Sequence, residues 1–167
     1  AAAAAVAAPN AEHEAPMRRA IELAANAPDF PFAAVLVDRR TKKIVAEGWN
    51  RSGLDPTFHG EMDVIHHCAR RHPKIDWTQL ALYTTAEPCP MCQGAVAWTG
   101  ISLVAYGTSI PYLQKLNWWQ IDLRAEEVRR RTPFRQCTLV AGVLERECNA
   151  LFDAAWRRAQ KKDSRGR

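Results

Sequence analysis

Pro88-Cys89-Pro90-Met91-Cys92 is the stretch that decides the fold and the chemistry of this chain, together with His59-Gly60-Glu61 upstream. Two cysteines three positions apart at the start of a helix can both face one metal ion. A histidine before another helix supplies a third ligand. Catalytic zinc sites use three protein ligands and keep a fourth position for water. The sequence therefore predicts a zinc site formed by His59, Cys89 and Cys92.

Glu61 stands two positions after His59, where its carboxylate can lie beside the ion without binding it. A carboxylate in that place can carry protons between water and a substrate, so Glu61 is the predicted catalytic residue. The alternative for Glu61 is an exposed carboxylate on a helix surface. The alternative for the two cysteines is a structural zinc site, which needs a fourth protein ligand. Candidates for that fourth ligand are His66, His67 and Cys68.

The composition is that of a globular domain. The 167 residues suggest a single domain, and 47% of them are hydrophobic, which excludes an intrinsically disordered chain. Five cysteines in a chain of this length do not form a disulfide framework. The net charge of +5 permits contact with nucleic acid but does not require it, and solvated helix faces with a solubilising tail are the favoured explanation. No apolar run reaches membrane-spanning length.

The chain divides into an Ala-rich or disordered N-terminal segment over residues 1–13, a domain over residues 14–162, and a basic tail over residues 163–167. The sequence favours a cytoplasmic protein. The small residues at the start leave the end of a trimmed export signal as the alternative, although the basic segment of such a signal is absent.

Short apolar runs alternate with helical periodicity along the domain. Strands are predicted over residues 32–37, 44–47, 80–85, 102–106 and 138–143, and the first two form an antiparallel hairpin. Helices are predicted from about residue 14, over 59–71, after the Cys89 turn, and over 123–131 and 145–161. This alternation predicts an α/β fold, a three-layer α/β/α sandwich with a five-stranded mixed sheet. Both halves of the metal motif lie where a strand is followed by a helix. Functional sites in open α/β sheets are commonly found at such junctions.

From about Phe32 to Tyr106 the chain resembles the cytidine deaminase-like superfamily of zinc-dependent deaminases, whose signature is H-x-E followed by P-C-x-x-C. The segments 55–61 and 87–95 look most like bacterial guanine deaminases and nucleoside deaminases, although Gly60 replaces their usual Ala. His59-Gly60-Glu61 and residues 82–85 also resemble yeast-type cytosine deaminases. Gly48-Trp49-Asn50 and Asp55-Pro56-Thr57 are shared with bacterial tRNA adenosine deaminases, which usually have Val in place of Pro90.

The resemblance implies a hydrolase of nucleobase metabolism, a Zn²⁺-dependent aminohydrolase that assembles as a homodimer. Its reaction would replace an exocyclic amine of a small heterocycle with oxygen and release ammonia, with Glu61 as the proton shuttle and guanine as the first candidate substrate. A cytosine-type deaminase of free bases and a tRNA adenosine deaminase acting on a flipped-out adenosine are the enzyme alternatives. An RNA partner is the less favoured of these. A zinc-stabilised scaffold subunit is the alternative outside enzymes, and the intact Glu61 argues against it.

The resemblance also implies substrate contacts. Asn50 matches the family Asn that hydrogen-bonds the base edge, and a turn-forming role is its alternative. The backbone around Ala86 and Glu87 would form a wall and an acceptor, while the Glu87 side chain would help to hold the turn. Trp118 and Trp119 either stack on the flat substrate or pack in the core or against a subunit. Guanine deaminases also carry an acidic clamp in this later region, where this chain offers only Asp122.

Overall fold

A five-stranded mixed sheet forms the centre of the protein. The computed structural model describes residues 11–165. The strands are β1 (Ala33–Asp38), β2 (Ile44–Trp49), β3 (Leu80–Ala86), β4 (Leu103–Thr108) and β5 (Thr138–Val140), in the order β2-β1-β3-β4-β5. Strand β1 is antiparallel to both of its neighbours, whereas β3, β4 and β5 run parallel to one another. The predicted mixed sheet and its opening hairpin are confirmed.

Six α-helices accompany this sheet within the described residues. They are α1 (Ala11–Leu23), α2 (Gly60–Arg71), α3 (Pro90–Thr99), α4 (Ile110–Lys115), α5 (Ala125–Arg131) and α6 (Glu145–Arg165). Helix α1 begins three residues before the domain start expected at residue 14, and α6 continues into the expected tail. Residues 1–10 and 166–167 lie outside the described residues, so the division into segment, domain and tail stays a prediction. None of the helices over residues 11–165 is both long and apolar enough to span a bilayer.

Strand β1 shows why the sheet lies between two helical layers. Its side chains alternate between two apolar clusters: Val35 packs with α1 and α6 on one face, and Leu36 packs with α2 and α3 on the other. Both side chains are completely buried. Burying a side chain of this size contributes about 1.5–3 kcal/mol, so a run that is apolar at every position is stable only between two layers.

One edge of the sheet brings the distant motifs together. Strands β2 and β3 end at this edge, and β1 begins there, because β1 is antiparallel to both. The backbone N–H of Asn50, just after β2, donates to the carbonyl of Phe32, just before β1, at 2.8 Å. Helices α2 and α3 then begin near the same edge, as the sequence predicts for the two halves of the metal motif.

The packing of α2 against β2 can be tested at Gly48, because a Cβ at that position would lie 2.5 Å from the backbone nitrogen of Val64 in α2. We expect Gly48→Ala to push α2 away from the sheet and to destabilise the protein by about 1–3 kcal/mol, measured by urea unfolding. Gly53→Ala is the control, because no heavy atom lies within 4 Å of its added Cβ. Equal unfolding midpoints for the two variants would contradict the close approach of α2 to β2.

Candidate metal centre and substrate pocket

The three predicted metal ligands meet at one point. Cys89 Sγ lies 3.6 Å from both His59 Nδ1 and Cys92 Sγ, and Cys92 Sγ lies 3.7 Å from His59 Nδ1. Zinc bound tetrahedrally at about 2.3 Å from sulfur and about 2.0–2.1 Å from nitrogen requires ligand atoms about 3.5–3.8 Å apart. The donor set and its spacing therefore fit zinc, and three protein ligands are the number that a catalytic zinc site uses.

Two helix beginnings place these ligands. His59 is the N-cap of α2, and Cys89 is the N-cap of α3, whose first residue is Pro90. Proline is well tolerated there, because the first N–H of a helix has no intrahelical acceptor. The positive ends of both helix dipoles thus lie beside the sulfur ligands and favour thiolates.

Gly60 permits the close approach of α2 to β1. A Cβ at residue 60 would lie 2.6 Å from the carbonyl oxygen of Phe32, so any larger residue would have to displace the backbone. This contact gives a physical reason for the glycine in a segment where the resemblance leads one to expect alanine.

The sulfur of Cys89 favours the charged state that a metal ligand needs. The hydrogen bond between the two cysteines is the main cause that lowers the pKa of Cys89 to about 4, and His59 contributes to the same shift. The same bond, together with burial, raises the pKa of Cys92. Hydrogen bonding to Cys89 also raises the pKa of His59. A negative sulfur at Cys89 beside an imidazole is the electrostatic arrangement of a cation site.

Glu61 lies beside these ligands, with only 2% of its surface exposed. The hydroxyl of Thr84 on β3 donates to Glu61 Oε1 at 3.0 Å. Burial is the main cause that raises the pKa of Glu61, and the negative charge of Cys89 adds to it. The interpretation of Glu61 as an exposed surface carboxylate is therefore wrong, and its environment suits a group that gains and loses protons.

The structural-zinc alternative finds no fourth ligand among the described residues. Cys68 is completely buried in the apolar cluster between α2 and the sheet. His67 Nδ1 hydrogen-bonds the carbonyl of Glu47 at 3.0 Å. Over residues 11–162, the only group of three or more potential metal ligands is that of His59, Cys89 and Cys92.

A cavity of about 600 Å³ opens from the metal ligands to the surface. The predicted residues Asn50, Glu61, Trp118 and Trp119 line it. Ala86 does not: its side chain is buried behind the wall with Leu113 and Phe152. The predicted role of the backbone at residue 86 stays a prediction.

Asn50 makes a turn interaction and also lines the cavity, so its predicted contact with a substrate stays a prediction. Its Oδ1 accepts from the backbone N–H of Ser52 at 3.1 Å and from the Ser52 hydroxyl at 2.8 Å, which is a turn interaction. The same side chain lines the cavity. Because the oxygen is held by Ser52, the amide Nδ2 is the donor that remains for a ligand.

The two neighbouring tryptophans differ in their environments. Trp118 packs edge-on against Phe32 and Phe152, with ring centroids 5.7 and 5.8 Å away, so it belongs both to the core and to the cavity wall. Trp119 lies at the mouth of the cavity with 98% of its surface exposed.

Sequence reasoning missed several residues of the wall. Phe32 lines the cavity, and its ring stacks on the His59 imidazole at 6.4 Å with an interplanar angle of 20°. Helix α6 contributes Trp156 and Gln160, whose spacing marks one helical face, but nothing in the sequence indicates that this face meets the metal site. Lys162 of the same helix also lines the cavity and was not predicted from the sequence.

Apart from Glu61, the acidic residues near the pocket are occupied by partners. Asp122, the only candidate for an acidic clamp, accepts from Gln114 at 3.0 Å and is not part of the cavity wall. Asp29 lines the mouth but pairs with Lys162 at 2.7 Å and with Arg158 at 3.4 Å. Glu87 is bound by backbone and arginine donors. Among the described residues, the pocket thus lacks a second free carboxylate.

Comparison with known proteins agrees with this geometry. Residues 10–108 match the family described as the cytidine and deoxycytidylate deaminase zinc-binding region. The match covers more than half of the chain, and the protein belongs to this family of zinc-dependent deaminases. The predicted superfamily, fold class, enzyme class and zinc dependence are confirmed.

Relatives with different substrates are similar to this chain. Guanine deaminase of Bacillus subtilis is 34% identical over 139 residues, covering 76% of this chain and 86% of that protein. A tRNA-specific adenosine deaminase of Buchnera aphidicola is 32% identical over 139 residues, covering 80% of this chain and 79% of that protein. The solved structure of guanine deaminase from Nitrosomonas europaea has a TM-score of 0.76 at 26% identity, covering 91% of this chain and 86% of that one. A solved complex with 2,6-diaminopurine has a TM-score of 0.77 at 28% identity, covering 86% and 81%.

The metal site is tested by removing one sulfur. We expect Cys92→Ser to lose its zinc during dialysis, because the completely buried Sγ is one of three ligands, whereas the parent protein keeps one zinc per chain by atomic emission. Cys68→Ala is the matched control, since it removes a buried sulfur outside the cluster and should keep its zinc. Zinc loss in the Cys68 variant instead would support the structural site with a fourth protein ligand.

Proposed function

We propose that this member of the cytidine and deoxycytidylate deaminase family hydrolyses the exocyclic amine of a free nucleobase, with guanine as the first substrate to test. The observation that carries the proposal is the buried Glu61 beside His59, Cys89 and Cys92 at one end of the cavity. The relatives named as guanine deaminases, and the similar structure that holds a diaminopurine, support a small purine as the ligand.

The reaction adds water to the carbon that carries the amine and expels ammonia, leaving a carbonyl. Zinc held by His59, Cys89 and Cys92 would supply Lewis acidity and lower the pKa of water to about 7. Glu61 accepts a proton from the attacking water and donates it to a ring nitrogen. It then takes the second proton from the newly added hydroxyl and passes it to the amine, which departs as ammonia. Burial raises the pKa of Glu61, which makes this carboxylate a better proton acceptor than an exposed one.

The walls of the cavity can orient a flat ring over Glu61. Phe32 and Trp118 provide apolar surfaces on the cavity side of the sheet, and the Nδ2 donor of Asn50 can pair with an acceptor on the base edge. A carboxylate without an ion-pair partner could accept hydrogen bonds from the N–H groups of guanine. Among the described residues that line the cavity, only Glu61 is such a carboxylate.

The RNA alternative has less support, because several of the basic groups that could form a phosphate trough are paired with carboxylates. Arg129 pairs with Glu126 at 2.6 Å, and Arg130 and Arg131 both pair with Glu127. At the cavity mouth, Arg158 and Lys162 share Asp29. Paired cations attract phosphates less than free ones do.

The proton-shuttle role is tested by Glu61→Gln, which keeps the shape of the side chain but cannot cycle a proton. We expect zinc content to be unchanged and kcat for guanine to fall by about 10²–10⁴-fold. Glu147→Gln, on the exposed surface of α6, is the matched control and should keep full activity. Near-normal turnover by the Glu61 variant would exclude this residue as the shuttle.

We also propose that the protein forms a homodimer through the outer face of α3. Trp98 on this helix is 77% exposed, and it contacts the half-exposed Phe134 at a ring distance of 4.8 Å. Exposed aromatic pairs of this kind are typical of subunit contacts. A cytoplasmic location remains a prediction of the sequence.

The dimer face is tested by sedimentation of Trp98→Glu, which we expect to convert the dimer to a monomer by placing a charge in the contact. Trp119→Glu alters an even more exposed tryptophan at the cavity mouth and should leave the dimer intact. A monomeric parent protein, or dissociation only in the Trp119 variant, would contradict the assignment of this face.

A further inference from the structure

Glu87 is a buried carboxylate that the chemistry above does not use. Its side chain is 1% exposed and lies two residues before Cys89. Oε2 accepts from the backbone N–H of Ile110 at 2.9 Å, and Oε1 accepts from the backbone N–H of Ala125 at 2.9 Å. The Nε of Arg124 lies 2.8 Å from both oxygens.

The two backbone donors are the first residues of two helices, α4 and α5. The first N–H groups of a helix have no acceptor within the helix, so each requires a partner from elsewhere. A charged acceptor makes a stronger hydrogen bond than a neutral one. One carboxylate therefore caps two helices whose first residues are 15 positions apart in the chain.

The segment between these caps forms a wall of the pocket. Residues 116–120 lie between α4 and α5, and all five line the cavity. We define them as the wall segment. The backbone N–H of Glu87 also donates to the carbonyl of Thr108, at the end of β4, at 2.7 Å. The turn that carries Cys89 and both flanks of the wall segment are thus joined through a single residue.

We propose that Glu87 is a positioning residue for the substrate, which holds the wall segment at a fixed place relative to the metal ligands. Both carboxylate oxygens of Glu87 accept hydrogen bonds, which a glutamine side chain cannot reproduce. A glutamine has one oxygen and an NH₂ group, so at least one of the two backbone donors would face another donor. The flank that loses its acceptor would move, and Trp118 would move with it.

Amide hydrogen exchange tests the proposal without any assumption about activity. In the parent protein, the amides of Ile110 and Ala125 should be protected, although first-turn amides ordinarily exchange quickly. Glu87→Gln should raise the exchange rate of at least one of them by about 10–100-fold, the effect of losing a charged hydrogen bond. Glu126→Gln is the matched control, because this exposed carboxylate lies in the first turn of α5 but forms its ion pair with Arg129.

Steady-state kinetics with guanine provide the second readout, which rests on the proposed function. Misplacing the wall segment should lower kcat/KM by up to about 100-fold, mainly through a higher KM, with zinc content and kcat nearly retained. A fall in kcat with loss of zinc and an unchanged KM would overturn the proposal, because Glu87 would then position only the metal turn.

Amide exchange and steady-state kinetics test the role of Glu87 separately from the proposed guanine substrate. If the parent protein does not turn over guanine, the proposed substrate fails, and the exchange rates alone decide the role of Glu87. If Glu87→Gln does not fold, the amide exchange rates of the parent protein and of Arg124→Gln decide the role of Glu87. Arg124 is 47% exposed, and its replacement leaves both capping oxygens in place, so both amides should stay protected. Fast exchange at Ile110 and Ala125 in the parent protein would refute the proposal.

Discussion

The convergence of His59 Nδ1 with two sulfur atoms, at 3.6–3.7 Å from one another, is the constraint on which the rest of the structure depends. It requires two helices to begin at one edge of a sheet, although their ligands are 30 positions or more apart in the chain. The antiparallel β1 makes this geometry available, because its start lies beside the ends of β2 and β3. Gly60 then allows α2 to contact the start of β1 directly.

Two buried glutamates at this edge have different roles because they have different partners. Glu61 accepts one hydrogen bond from Thr84, and burial raises its pKa, so the protonated form is accessible. Glu87 accepts hydrogen bonds from two backbone N–H groups and from Arg124, which fix the position of its carboxylate. The first environment suits proton transfer, whereas the second suits a fixed structural contact. The two glutamates thus differ in role because of the hydrogen-bond donors around them, although their residue type is the same.

Much of this organisation could be predicted from the sequence. The metal ligands, Glu61 and the five strands carry short-range signals: ligand spacing, apolar runs and helix starts. The wall of the pocket carries no such signal. Trp156 and Gln160 reach the cavity only because the last helix packs across the sheet, and Phe32 does so because β1 begins at the metal site. The absence of an unpaired acidic clamp among the described residues likewise depends on the pairing of Asp29 with α6, a contact between segments more than 120 positions apart.

Ammonia release by the zinc-loaded protein distinguishes deamination of a free base from its alternatives. The panel consists of guanine, cytosine, adenine, their nucleosides and a tRNA anticodon stem-loop. We expect turnover of a free base, guanine first, by a protein that holds one zinc per chain. Release of ammonia from the stem-loop alone would contradict a small-molecule pocket, and silence across the whole panel with zinc bound would contradict the proposed deamination of a nucleobase.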